Sequence, residues 1–67
     1  MSFGNLSTPM EILKAALRKE ESAYRFYENL GAITHIAPVK QLVTQLKEEE
    51  HRHIQMIQKI IVELSLG

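Results

Sequence analysis

Cysteine is absent from these 67 residues. That removes disulfides, thiolate metal sites and cysteine nucleophiles at once. The absence fits a reducing compartment, and a cytoplasmic setting is expected. Net charge is absent too: eight basic residues balance eight acidic ones, with no basic block, which argues against nucleic acid as a partner. No apolar run approaches the roughly 20 residues of a membrane span, and the first residues lack the charged-then-apolar order of a signal peptide. Helix breakers are few, three glycines and two prolines. With Ala, Leu, Glu, Lys and Gln abundant, the chain reads as all-α. A single domain of this size (residues 1–67) buries too little surface to stand comfortably alone. Self-association or a bound metal must supply the remaining stability.

Residues 1–7 show no periodicity and read as an irregular lead-in. Thr8-Pro9-Met10-Glu11 is a strong helix start: Thr8 caps, Pro9 suits the first helical position and Glu11 closes a capping box. The first helix is predicted over 9–30, with Gly31 as its stop. Its inward stripe is Leu13, Ala16, Leu17, Glu20, Ala23, Tyr24, Tyr27 and Leu30, interrupted near the middle by one carboxylate. Residues 31–37 form a connector of ordinary length for antiparallel helices. A second helix, opened by Pro38, is predicted over 38–64, with Ser65-Leu66-Gly67 fraying. The architecture expected is one antiparallel helical hairpin.

The stretch Leu46 to His53 concentrates three carboxylates and two imidazoles. Glu50 and His53 project from the same side of the helix, and it is the apolar side. Leu46, His53 and Ile60 form one row, and Val43, Glu50, Ile57 and Leu64 the row beside it. A carboxylate and an imidazole in an apolar stripe are costly to bury unless something neutralises them. Glu20 lies eleven residues before Gly31, and Glu50 twelve after Pro38. Both are therefore roughly 16–18 Å from the turn, and His53 is within one helical turn of that level. Three donor side chains from two helices meet at one height.

Ile12, Phe26, Ile54, Met56 and Ile61 widen the apolar stripe beyond one seam, so a hairpin leaves a face open. Two hairpins about a two-fold axis close it into a four-helix bundle. That homodimer offers Glu20 and Glu50-x-x-His53 twice, the ligand set of carboxylate-bridged di-iron and di-manganese bundles. These donors suit iron or manganese, with zinc as a further alternative, and no soft ligand competes. Tyr27, two turns from Glu20, has a hydroxyl that a metal site would partner. Tyr24 and Glu49 stand as lesser neighbours of the same site. Glu48, His51 and His35 read as surface residues.

At these residues the chain resembles a rubrerythrin or ferritin-like di-iron protein reduced to half a bundle. The matching pieces are Glu20-Glu21-Ser22-Ala23-Tyr24-Arg25-Phe26-Tyr27 and Leu46-x-x-x-Glu50-x-x-His53, and the likeness covers about residues 10–60. The two-helix encapsulated ferritins are similar in the spacing of the two glutamates and in the aromatic pair after the first. They also carry flanking acids where this chain has Lys19 and Ser22, and a C-terminal extension that is absent here. The resemblance implies a ferritin-like four-helix bundle with two iron ions per dimer, and ferroxidase-type oxidation of Fe(II) by O2 or H2O2. It also implies partners beyond the homodimer or higher homo-oligomer: an external reductant, since no cysteine-rich electron-delivery domain is present, or a shell protein. The alternative is a non-catalytic self-association module whose Glu/His layer only specifies pairing.

Overall fold

The computed structural model of the chain describes residues 8–67; the expected lead-in lies outside them. Two helices make up the described chain, α1 (Pro9–Ile33) and α2 (Ala37–Leu66), packed against each other in an antiparallel hairpin. No strand occurs among the described residues, as the composition leads one to expect.

The start of α1 follows the sequence closely. Thr8 is extended at φ −105°, ψ 150°, and its Oγ1 accepts from the Glu11 amide at 3.1 Å. Glu11 reaches back to accept from the Thr8 amide at 3.2 Å. Two of the amides a helix N-terminus leaves orphaned are thereby satisfied.

The helix ends differ from expectation. Gly31 does not stop α1, which continues to Ile33 and ends where Thr34 turns extended at φ −98°, ψ 139°. No described glycine has positive φ, so Gly31 makes no left-handed cap. It serves packing instead: a Cβ placed there would lie 3.7 Å from Val43 Cγ1. The connector contracts to 34–36, where the Ile36 amide donates to Thr34 Oγ1 at 3.4 Å. Helix α2 begins at Ala37, with Pro38 in its first turn, where a missing N–H costs nothing. Its far end holds rather than fraying, because Ser65 Oγ donates to the Ile61 carbonyl at 2.8 Å and the Gly67 amide to that of Glu63 at 3.3 Å.

These shifts sharpen the height match. Glu20 is thirteen residues before Ile33 and Glu50 thirteen after Ala37, both about 20 Å from the turn. Every residue of the expected α1 stripe is half-buried, and Val43 is the one buried residue among those described. Ile54 and Ile61 belong to the inter-helix seam, being half-buried, and not to the open face. Ile12, Phe26, Leu42, Met56 and Ile60 stay exposed, and helical periodicity sets all five on the same side of the hairpin. No helix is long and apolar enough to cross a membrane.

Replacing Gly31 by Ala is expected to raise stability by about 0.5–1 kcal/mol, because a helical glycine is replaced where the added methyl has room. Thermal melts check this: a rise of several degrees is expected, and a fall would mean that the approach to Val43 tolerates no methyl.

Candidate metal centre

The two helices deliver Glu20, Glu50 and His53 to one point, with donor atoms from all three within 4.8 Å of one another. Donors around one ion lie at most about 4.4 Å apart, twice a bond of about 2.2 Å. The cluster is a few tenths of an ångström wider than such a shell, within reach of small rotamer adjustments. His53 Nδ1 is 3.3 Å from Glu20 Oε2 and 3.9 Å from Glu50 Oε2. The glutamate side chains are mostly buried, at 23% and 17% exposure, whereas His53 is half exposed at 50%. The Leu46/His53/Ile60 row thus runs along the edge of the seam, with His53 turned toward the open apolar side.

Charge in the cluster is incompletely compensated. Glu50 Oε2 is buried with no hydrogen-bond partner, a costly state for a carboxylate oxygen. The carboxyls of Glu20 and Glu50 compete for one proton. Glu20 is held below the usual glutamate value, first because Glu50 can hydrogen-bond to it, then through His53 and the charge of Lys19, with burial acting against. Glu50 is held above it by the same interaction with Glu20, by burial and by the negative charges of Glu20 and Glu49, with His53 opposing. With both groups ionised no hydrogen bond can join them. A cation at the centre would take the place of the shared proton. The oxygen and nitrogen donor set and the orphaned oxygen both fit iron, manganese or zinc.

The other candidates lie elsewhere. Tyr24 packs on the opposite side of the hairpin from the open apolar face, its ring 6.1 Å from that of His51 and the Lys47 ammonium 5.9 Å above it. Tyr27 packs 5.5 Å from the Phe26 ring and lines a hollow of about 210 Å³ toward the turn. Glu49 is half-buried and reaches the site through its charge on Glu50. Among the described residues no hydrogen bond or ion pair ties these three to the cluster. His51 is exposed, as expected. Its contact with Tyr24 was not foreseen, although the height argument would have found it: His51 adjoins Glu50 as Tyr24 lies one turn from Glu20.

A lone glutamate on one helix facing a Glu-x-x-His on the next is the half-set of the carboxylate–histidine helix bundles. Comparison with protein families agrees, the Rubrerythrin model matching residues 11–67. The chain belongs to the rubrerythrin family. No curated protein and no solved structure matches it.

The opposed shifts give metal-free protein a definite pH response. A raised carboxyl contributes stability below its unfolded value and loses it as pH rises through the folded value. A lowered one contributes above its unfolded value and loses it as pH falls through the folded one. At neutral pH ionised Glu50 is therefore unfavourable, and Glu50→Gln is expected to raise the melting temperature of chelator-treated protein. The gain should vanish in acid, where Glu50 is protonated in both states. An equal gain at both pH values would show that the charge of Glu50 is not its cause.

Proposed function

We propose that this protein holds two iron ions at the interface of a homodimeric four-helix bundle and oxidises Fe(II) with O2 or H2O2. The observation that carries this reading is the meeting of Glu20, Glu50 and His53 with a buried, unpartnered carboxylate oxygen among them, in a chain of the rubrerythrin family. Each chain supplies Glu20 and Glu50 as oxygen donors and His53 as a nitrogen donor, and a second copy supplies them again. Iron held by Glu20, Glu50 and His53 would supply one-electron redox chemistry, and two ferrous ions would together match the two-electron reduction of one peroxide to water. The glutamates would offset the charge of the ions. Oxidation of incoming Fe(II) draws its electrons from the iron itself; peroxidase-like turnover, with the same two ions kept and reduced again, would need an external reductant.

The second copy is argued from area as well as from ligands. The open apolar side is roughly 40 Å long and about 20 Å wide. That is about 800 Å² for each partner, the size of a standard specific interface. A chain with one buried residue among those described has most of its hydrophobic stabilisation still to gain there.

The competing reading is a pairing module without catalysis, favoured by the His53–Glu20 contact at 3.3 Å, which gives one carboxyl a polar partner without any metal. Chelation separates the two. The metal reading expects a melting temperature that falls with chelator and a ferric absorbance that grows when Fe(II) meets O2 or H2O2. Glu20→Ala, Glu50→Ala and His53→Ala should each weaken metal binding at least about tenfold, or 1.4 kcal/mol, and suppress that signal. Chelator-insensitive melting with no uptake of iron, manganese or zinc would favour the module. Uptake without ferrous oxidation would leave a structural metal.

A further inference from the structure

Sulfur enters this chain only through its three methionines, because cysteine is absent. Met1 lies outside the described residues and Met10 is half-buried. Met56 is 59% exposed. It stands three residues after His53, about 4.5 Å further along α2, on the open apolar side. Exposed Ile12 and Ile60 lie on the same side, within about one turn of its height. As a thioether, Met56 is a soft apolar contact that makes no hydrogen-bond demand on a covering surface. As a sulfoxide it carries a strongly polar oxygen, which is costly to bury without a partner.

We infer that Met56 is a peroxide-modification site, and that its oxidation to the sulfoxide keeps two chains from pairing. In the step, the O–O bond of H2O2 breaks and an S–O bond forms on the Met56 sulfur. The sulfur loses two electrons, peroxide gains them, and its second oxygen leaves as water. No thiol in the chain competes for the oxidant. Pairing covers the sulfur, so the single chain is the form that reacts and the dimer is the form that is protected. A sulfoxide reductase returns the thioether, which makes the modification reversible. The inference rests on the pairing of the apolar side proposed above, and adds a covalent control on it.

Peptide mass spectrometry and sedimentation velocity on the full chain test this together. The protein is kept in Zn(II), which has no redox chemistry, so that peroxide reacts with side chains alone. In dilute protein treated with H2O2, Met56 is expected to gain one oxygen well before Met10. The oxidised chain should then show a dimer dissociation constant raised at least about tenfold, as the burial of an unpartnered polar group requires. Concentrated, paired protein should oxidise at Met56 several-fold more slowly, and a sulfoxide reductase should restore pairing. Met56→Leu, apolar and of similar volume, should pair equally well before and after peroxide. A chain fully oxidised at Met56 that pairs as tightly as the untreated chain overturns the inference and leaves the pairing reading intact. Loss of pairing by Met56→Leu on peroxide treatment, or oxidation of Met10 as fast as Met56, also overturns it. Untreated protein that stays single at every concentration removes the pairing reading, and the inference with it. Should the variant fail to fold, oxidation and reductase rescue of the wild-type chain decide the matter alone.

Discussion

Glu20 and Glu50 face each other at one level of an otherwise apolar seam, and the rest of the structure is arranged around how that charge is accommodated. Two carboxylates so placed cannot both ionise without cost. The hairpin offers them a shared proton and one imidazole, and leaves Glu50 Oε2 without a hydrogen-bond partner. An apolar pair at these positions would pack more simply, so their presence needs a compensating partner. A cation is the partner whose charge, size and ligand preference suit two carboxylates and a histidine.

The second constraint is area. Two helices in contact along one seam leave each helix with a flank uncovered, and only Val43, near the turn, is buried among the described residues. The uncovered flanks lie on the side toward which His53 opens, so the exposed apolar surface and the Glu20/Glu50/His53 cluster adjoin each other. The opposite side carries Tyr24 with Lys47 and His51, polar and aromatic groups that tolerate water. The hairpin is two-faced, and that asymmetry points to a second copy as the partner of the apolar side.

Much of this was legible in the residues. The capping box at Thr8 and Glu11 is local chemistry, set by hydrogen bonds three residues apart, and it appears as read. The rows Val43/Glu50/Ile57 and Leu46/His53/Ile60 are fixed by helical periodicity, and the meeting of Glu20 with Glu50 and His53 follows from counting residues to the turn. The helix ends were less legible. Gly31 reads as a stop by propensity, but Val43 packs against it in the folded hairpin, a contact between residues on different helices that no local signal encodes. Ser65 reads as fraying, yet its hydroxyl bonds back to the Ile61 carbonyl. Tyr24 reads as a neighbour of the metal ligands because it lies one turn from Glu20. Its rotation of about forty degrees from Glu20 carries it to the far side, toward His51. Periodicity gave the face, and side-chain packing gave the partner.

The central claim is that one chain carries half of a two-metal site, and metal content tests it most directly. Elemental analysis of untagged protein, purified without chelator and combined with a solution mass, gives the number of ions per assembly. Two ions of iron, or of manganese in its place, per dimer are expected, falling to near zero in Glu20→Ala. A dimer that carries no transition metal, or one whose metal content is unchanged in that variant, would contradict the claim.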